Sequence, residues 1–402
     1  APTATAGGRG VAVSATRSIP VSPRQRHLVL DVSELNIRDS GTGIQRVTRN
    51  LVRTLVSNPP TGWRVEPIAA TRENEYRFAR RFTSGLLGIE TNLTDDGVEY
   101  APGDLFVGVD LQPDSVPSHR GFFRRLQRAG VGVAFVVYDL LPIIAPENFY
   151  PGAAELYERW LATVREADAL IAISQSVRDD VEQWLQTHPT AGQGPALGWF
   201  HLGADLDAVS ADELQAADSA RAASTTFLMV GTIEPRKRHR QVLNAFELLW
   251  DRGGTAELVI VGRRGWMMDD FIDRLRTHPR AGSLLHWFED ADDETLAGLY
   301  RSSAALVAAS IGEGFGLPLI EASRFGLPII ARDLPVFREV AGDHAVYFSG
   351  DTPGDIAGAL DEWLSRRSSG DVPVTAGMTW NTWQASADQL LRALRSALDG
   401  GR

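Results

Sequence analysis

The strongest constraint on the fold is an alternation of short β-branched runs with stretches of helical spacing, which occurs twice along the chain. The apolar runs of the first series are HLVLDV, DLFVGVD, VGVAFVVYD, ADALIAIS and ALGWFHLG. Stretches with helical spacing separate them, at about residues 44–56, 119–127, 153–165 and 177–186. Alternation of this kind predicts right-handed β-α-β units and a parallel sheet covered by helices on both faces.

A second series follows a polar stretch, rich in alanine and aspartate, at about residues 206–224. Its apolar runs are TTFLMV, AELVIVG, SLLHWF, AALVAAS and LPIIA. We therefore predict an α/β protein with two doubly wound, Rossmann-like domains facing a central cleft. Open sheets of this type bind ligands at the carboxyl ends of their strands, so function is expected in that cleft.

The length of 402 residues suits two such domains. We expect a flexible leader at 1–25, or a linker from a longer multidomain protein. The expected domains are an amino-terminal one at 26–205 and a carboxyl-terminal one at 206–378. The remaining segment, 379–402, is expected to form a helix that returns to the amino-terminal domain.

Composition excludes several functions. The absence of cysteine rules out disulfides, thiolate nucleophiles and cysteine-based metal sites, and it suits a reducing cytoplasm. A net charge of −11 argues against nucleic acid as the main partner. The longest apolar runs, such as residues 131–137, are much shorter than a membrane span.

The first motif is the run EGFGLPLIE, which begins at Glu313 and ends at Glu321 after the strand AALVAAS. Gly314 and Gly316 allow the backbone to approach a ligand closely, and the free amides that open the following helix can bind an anion. The two carboxylates can face one cleft and accept hydrogen bonds from sugar hydroxyls. The motif indicates a nucleotide sugar, and a merely capped helix is the alternative.

The second motif is the run GTIEPRK at residues 231–237, between the first strand of the second series and a helix. Arg236 and Lys237 place two positive charges at a helix amino terminus, which the helix dipole disfavours unless an anion is bound there. Lys237 is also the single lysine in the chain. A diphosphate would resolve the conflict, whereas a solvated basic turn would carry no function.

Together these motifs resemble those of the family 4 retaining glycosyltransferases of the GT-B fold, whose hallmarks are an E-x7-E motif and a phosphate-binding Arg/Lys turn. The resemblance extends over nearly the whole chain, from about residue 27 to residue 398. Segments similar to mannosyl- and rhamnosyltransferases of bacterial surface polysaccharides are SGTGIQRVTRNL, VVYDLLPIIAPENF, ISQSVRDD, VGTIEPRKRH, LVIVGRRGW and EGFGLPLIEA.

The resemblance implies roles for individual residues. Arg236 and Lys237 would hold the donor diphosphate, and they form the expected catalytic set with Glu313 and, on the acceptor side, Asp139. The expected donor-binding residues are Gly41, Thr42, Gly43, Gly231, Thr232, Arg263, Arg264, Gly314, Phe315, Gly316, Leu317 and Glu321.

Within that set, Glu321 would meet the ribose, and Glu313 with the backbone of residues 315–317 would meet the donor sugar. Arg263 or Arg264 would lie near the nucleobase, and residues 41–43 would form a loop that closes over phosphate and acceptor. Tyr138 departs from the family, in which many members have histidine before this aspartate.

We expect an enzyme that transfers a hexose with retention, without a metal or other cofactor, from a nucleotide sugar to a hydroxyl of a surface glycan or lipid-linked oligosaccharide. GDP-mannose is the first choice of donor. The alternatives are a rhamnosyl- or glucosyltransferase that uses a dTDP- or UDP-sugar, and a catalytically silent module that binds glycan.

Two segments, residues 77–87 and 119–128, combine arginine with aromatic or leucine side chains. Such faces suit an anionic membrane surface, so we expect cytoplasmic localisation with peripheral contact at the inner face of the cytoplasmic membrane. A solvated helix face is the alternative.

Overall fold

The structure is a computed structural model that describes residues 24–39, 41–189, 192–204 and 211–400. Most of the expected leader at 1–25 and the expected division between residues 205 and 206 lie outside these ranges. None of the helices within them combines the length and the apolar character that a membrane span requires.

The first sheet has seven strands in the order β3-β2-β1-β4-β5-β6-β7. Neighbouring strands are parallel except for β2 and β3, which are antiparallel. The strands are β1 (Arg26–Asp31), β2 (Trp63–Ala69), β3 (Arg77–Phe78), β4 (Leu105–Gly108), β5 (Gly132–Val137), β6 (Ala169–Ala172) and β7 (Ala196–Trp199). The helices are α1 (Ser33–Ile37), α2 (Gly43–Ser57), α3 (Arg80–Leu87), α4 (Arg120–Arg128), α5 (Leu141–Ile144), α6 (Ala153–Val164) and α7 (Gln175–Thr187).

The second sheet has six parallel strands in the order β10-β9-β8-β11-β12-β13. The strands are β8 (Thr226–Val230), β9 (Glu257–Val261), β10 (Leu285–Phe288), β11 (Ala305–Ala308), β12 (Ile329–Arg332) and β13 (Ala345–Phe348). The helices are α8 (Ala211–Ala222), α9 (His239–Asp251), α10 (Asp269–Thr277), α11 (Asp293–Ser302), α12 (Leu317–Arg324), α13 (Pro335–Ala341), α14 (Pro353–Ser368) and α15 (Trp383–Gly400). These two sheets confirm the predicted fold class.

Each sheet is covered by apolar side chains on both faces, as an α/β sheet requires. The last helix, α15, packs on the first sheet through buried Trp383, Leu390 and Leu394. Phe315 and Ile320, which lie between β11 and β12 in the chain, are buried in that same cluster. One apolar core therefore joins the second half of the chain to the first sheet.

Several elements differ from the sequence-based expectation. The polar stretch at 206–224 contains α8, because alanine-rich sequence forms helix readily even without a strong apolar stripe. Strand β2 escaped prediction because Pro67 lies within it and weakens its strand pattern. Helices α13 and α14 also follow β12 and β13 without having been predicted.

Candidate active site

The site lies where the strand order of the second sheet reverses. β8 and β11 are parallel neighbours at its centre, and the chain leaves them toward opposite edges. Loops after such strands diverge and leave a crevice, which is the usual ligand site of open α/β sheets. The loop after β8 carries Gly231 and Lys237, and the loop after β11 carries Ser310 and Glu313. The fold therefore brings the two motifs to one crevice.

A tight turn presents the cations of the second motif. Gly231 has a φ of 143°, and a Cβ on the facing Gly262 would lie 1.9 Å from the Gly231 carbonyl oxygen. Both positions therefore need glycine. Residues Pro235–Lys237 form a single 3-10 turn, and Arg238, with a φ of 63°, leads into α9. The two cations of this turn consequently lie just ahead of a helix.

Glu313 joins both cations. Its Oε2 accepts a hydrogen bond of 2.9 Å from Arg236 Nη1, and its Oε1 is paired with Lys237 Nζ. Ser310 Oγ donates a further bond of 2.6 Å to the same Oε1. Arg236 also forms an ion pair of 2.5 Å with Glu234. Three of the four expected catalytic residues are thus in direct contact.

Burial and opposite charges determine the protonation of this cluster. Burial alone would raise the pKa of Glu313, but the ammonium of Lys237 and the guanidinium of Arg236 lower it to about 2. Burial raises the pKa of Glu234, against the opposing charge of Arg236. Burial alone would lower the pKa of Arg236, but Glu313 and Glu234 raise it. The cluster therefore keeps the Glu313 carboxylate ionised and the Arg236 guanidinium charged at neutral pH.

The glycine-rich segment after Glu313 lies against the first sheet. A Cβ on Gly314 would lie 2.1 Å from the carbonyl oxygen of Tyr138, and Ser174 Oγ donates to the Gly314 carbonyl at 2.8 Å. Phe315 is buried beside His201, with ring centroids 5.4 Å apart. The Phe315 side chain therefore belongs to the core between the two sheets, and only its backbone remains available to a ligand.

Helix α12 begins directly after this segment. Gly316 precedes it with a φ of 104°, and a Cβ there would lie 2.9 Å from the ring of Phe337. Leu317 is the first residue of the helix and is partly buried against the core that joins the sheets. The first amides of the helix therefore open next to the cluster around Glu313, as the sequence suggested for an anion site.

Glu321 lies about one turn into α12 and bridges the two halves of the chain. Arg46, on α2 of the first half, donates from Nη1 to Glu321 Oε1 at 2.6 Å. Tyr300 donates its hydroxyl to Oε2 at 2.8 Å from α11. Glu321 is 6% exposed and Tyr300 is 1% exposed. Glu321 therefore bonds to partners different from those of Glu313.

Asp139 comes from the first sheet, immediately after β5. Its Oδ1 accepts a hydrogen bond of 3.0 Å from the amide of Leu141. Burial raises the pKa of Asp139, while the charges of Arg236 and Lys237 lower it, so the carboxyl group lies within the electrostatic field of the cluster. The neighbouring Tyr138 instead directs its hydroxyl into the core, where it donates to the Val109 carbonyl at 2.7 Å.

The loop at 41–43 faces the second sheet. Gly41 has a φ of 66°, and a Cβ there would lie 3.1 Å from Nη1 of Arg263. Thr42 caps α2 by accepting a bond from the amide of Gln45, and the Gln45 side chain accepts in return from the amide of Thr42. Gly43 is the first residue of the helix. This expected segment therefore forms the start of α2, and its Gly41 lies beside Arg263 of the second half of the chain.

The two expected base-contacting arginines differ in their surroundings. Arg263, beside Gly41, forms an ion pair of 3.2 Å with Asp290. Arg264 is paired at 3.0 Å with Glu289. Thr232 packs its γ-methyl beside the same segment, since a Cβ on Gly265 would lie 3.0 Å from it. Of the two arginines, Arg263 is the one that faces the first half of the chain.

A second polar connection between the two halves of the chain joins Glu339 on α13 to α7 and to His201. Glu339 on α13 accepts from the amides of Gln175 and Ser176 at 2.7 and 2.9 Å, and its Oε1 lies 2.7 Å from His201 Nε2. Burial alone would raise the pKa of Glu339, but the bonds from His201 and Ser176 lower it. Glu339 thus supplies the anion that the amino terminus of α7 favours.

Sequence reasoning missed the partners that the fold supplies. Arg46, Glu234, Ser310, Tyr300 and Glu339 were not singled out, although each bonds a site or interface residue. The sequence signals for Arg46 were its place three residues after the 41–43 loop and its position within the segment SGTGIQRVTRNL. Tyr300 and Glu339 carry no local signal, because their partners are distant in sequence.

The basic segments proposed for membrane contact are partly neutralised. Arg120 and Arg124 both pair with Glu166, and Arg125 pairs with Glu75 at 2.7 Å. Membrane contact stays a prediction.

A groove of about 780 Å³ also lies at the opposite, amino-terminal edge of the first sheet, lined by residues such as Asp104 and Asp399. It is remote from the cluster described above, so we place the chemistry in the crevice.

Comparison with known proteins identifies a glycosyltransferase domain in the chain. The family model for glycosyl transferases group 1 matches residues 211–376. The serotype-specific mannosyltransferase WbdA of Escherichia coli is 41% identical over 380 residues, which cover 92% of this chain and 45% of that protein. The chain therefore spans about half the length of the curated relatives it matches.

Solved structures share the fold at low sequence identity. HepE of Anabaena, crystallised with UDP and glucose, has a TM-score of 0.59 at 14% identity and covers 94% of this chain and 98% of its own. The catalytic domain of starch synthase IV from Arabidopsis thaliana, bound to ADP and acarbose, has a TM-score of 0.61 at 10% identity, with coverages of 93% and 99%. The chain has the GT-B fold, and its residues 211–376 carry a domain of the glycosyl transferases group 1 family.

Proposed function

We propose that the protein is a retaining mannosyltransferase that needs no metal, moving mannose from GDP-mannose to a hydroxyl of a growing surface polysaccharide. The observation that carries the chemistry is the contact of Arg236 and Lys237 with Glu313 in the crevice between β8 and β11. The choice of mannose rests on the 41% identity to WbdA, a serotype-specific mannosyltransferase.

The cluster suits a leaving diphosphate. As the anomeric carbon–oxygen bond breaks, its electron pair stays on the diphosphate, where Arg236 and Lys237 can stabilise the developing charge. Glu313 holds both cations in place before the donor arrives, so little reorganisation is needed. Shared between Glu313 and the diphosphate, and together with the first amides of α12, the two cations would make a metal ion unnecessary.

The acceptor completes the reaction from the side of the first sheet. Its hydroxyl oxygen bonds to the anomeric carbon on the face that the diphosphate leaves, and its proton passes to the departing diphosphate oxygen. We propose that Asp139 orients this hydroxyl, because it follows β5 of the first sheet and its carboxyl group interacts electrostatically with Arg236 and Lys237. We assign Asp139 to the acceptor side on this ground.

The test is a donor panel. Thermal-shift and hydrolysis assays with GDP-, UDP-, dTDP- and ADP-sugars should show stabilisation and turnover with GDP-mannose, and NMR of the product should show the anomeric configuration of the donor. A response to UDP- or dTDP-sugars alone would replace the donor assignment. An inverted product would contradict retention, and dependence on added divalent metal would contradict the metal-free mechanism.

A further inference from the structure

An ion pair crosses the cleft at the carboxylate expected to meet the donor ribose. Arg46 extends from α2, which covers the first sheet, and donates to Glu321 on α12 at 2.6 Å. The second oxygen of Glu321 accepts from the buried hydroxyl of Tyr300 at 2.8 Å. Arg46 is thus the cation that balances the charge of this nearly buried carboxylate.

The segment that carries Arg46 makes a second contact across the cleft. Gly41, five residues earlier, lies beside the guanidinium of Arg263. The segment is held in shape, because Asp39 is paired with Arg49 and the Gln45 side chain donates to the carbonyl of Arg38 at 2.9 Å. Its two cross-cleft contacts therefore fall on the residues expected near the base and near the ribose.

Arg46 could either be displaced from Glu321 when the ribose binds or stay bound and hold the carboxylate in place, and the geometry favours the second role. A carboxylate has about four acceptor positions on its two oxygens, and Arg46 and Tyr300 occupy one on each. Positions remain for ribose hydroxyls while Arg46 stays bound, so displacement of Arg46 is unnecessary. Without Arg46, a carboxylate that is 6% exposed would keep only a neutral hydroxyl as partner, which is unfavourable for a buried charge.

We propose that Arg46 is a positioning residue for donor binding: it holds the Glu321 carboxylate in place for the nucleoside of the donor, so that this contact is complete only when the two halves of the chain are together. The inference rests on the proposed function, since it requires a nucleotide to bind beside Glu321. It makes Arg46, a residue of the acceptor side, part of donor recognition.

The experiment compares nucleotide affinity and steady-state kinetics in matched variants. Arg46→Gln should weaken GDP binding by about tenfold or more in calorimetry and raise KM for GDP-mannose in proportion, while kcat changes little, because a charge-assisted bond that positions the donor is lost. Arg46→Lys should recover part of the affinity. Arg53→Gln, an exposed arginine two turns further along α2, should match the wild type.

Glu321→Gln provides the coupling test. In that background Arg46→Gln should cause little further loss of GDP affinity, because its partner is already neutral. Wild-type or tighter GDP binding by Arg46→Gln, or additive losses in the double variant, would overturn the proposal, provided thermal unfolding shows that the variants fold. A wild-type protein that binds none of GDP, UDP, dTDP and ADP would instead overturn the proposed function, and this inference with it.

Discussion

Two carboxyl groups with little solvent exposure, Glu313 in the crevice of the second sheet and Asp110 after β4 of the first, have opposite surroundings. Glu313 contacts Arg236 and Lys237, and these two cations lower its pKa to about 2 even though burial acts in the other direction. Asp110, which follows β4, is 2% exposed, and burial together with the charges of Asp31 and Glu34 raises its pKa to about 7, against the amides that bond it. The neighbouring charges therefore lower the pKa of Glu313 and help to raise that of Asp110, although burial acts in the same direction on both.

The carboxyl groups of the two sheets also differ in what they bond to. Asp110 accepts from the amide of Leu35 at 2.7 Å, and Asp31 accepts from the Tyr76 hydroxyl at 2.7 Å, so these groups fix α1 and are satisfied within the protein. The cluster around Glu313 instead contains cations that an anion can share. The second sheet therefore presents cations that an anion can share, whereas these carboxyl groups of the first sheet bond within the protein.

The largest expected effect comes from removing the ammonium of the charged region. Lys237→Ala should lower kcat by about a hundredfold or more, because the leaving diphosphate loses the ammonium that stabilises its developing negative charge in a site with little water. The measurement is the transfer rate with saturating donor, together with thermal unfolding. Arg240→Gln, on the exposed face of α9 and paired with Asp270, is the matched control and should transfer normally. Retained turnover in Lys237→Ala would refute charge stabilisation.

The pH dependence of stability should differ in sign between the two carboxyl groups. The pKa of folded Glu313, about 2, lies below its ordinary 4.5, so its roughly 3 kcal/mol of stabilisation is present above about pH 5 and lost as the pH falls toward 2. Glu313→Gln should therefore flatten the acid side of the profile. Urea unfolding between about pH 3 and pH 8 measures it.

Asp110 provides the opposing arm of that measurement. Folded Asp110 keeps its proton up to about pH 7, whereas the unfolded chain loses it near 4, so stability falls as the pH rises between these values. Asp110→Asn should remove this decline and leave the acid side unchanged. Parallel profiles for Glu313→Gln and Asp110→Asn would show that the two regions do not differ as described.

The contact of Gly314, after β11 of the second sheet, with the Tyr138 carbonyl, after β5 of the first, should not accommodate an added methyl group. An alanine Cβ there would lie 2.1 Å from the Tyr138 carbonyl oxygen, so Gly314→Ala should cost about 1 to 3 kcal/mol of stability and reduce transfer by separating the sheets. Gly298→Ala, within α11 and with no atom within 4 Å of the new Cβ, should instead stabilise by about 0.5 to 1 kcal/mol. Equal effects in urea unfolding would contradict the close approach at Gly314.

The smallest expected effect concerns Tyr138, where many family members have histidine. Its hydroxyl bonds the Val109 carbonyl and lies 3.1 Å from Thr48 Oγ1, inside the core. Tyr138→Phe should therefore cost about 1 kcal/mol of unfolding free energy and leave kcat unchanged. A large fall in kcat with intact stability would place this hydroxyl in the reaction and weaken the contrast between the two sheets.

Local signals made the meeting of the two motifs of the second sheet predictable. Gly231 to Lys237 and Glu313 to Glu321 are two continuous segments, and the β-α alternation places both after strands, so their meeting at the switch point follows from topology. The same reasoning yields the fold class. It did not reveal that the Phe315 side chain enters the first sheet's core, because one buried aromatic in a loop carries no periodicity.

What the sequence determined by itself was therefore the pair of α/β sheets and the charged groups of the donor side, since strand periodicity, glycine placement and helix-terminal charge act over a few residues. Tertiary structure alone decided which distant side chains balance those groups. Arg46 reaches Glu321, and Gly314 meets Tyr138, across separations that no local pattern encodes. The physical reason is that a buried charge takes its partner from whichever chain segment packing brings within hydrogen-bond distance.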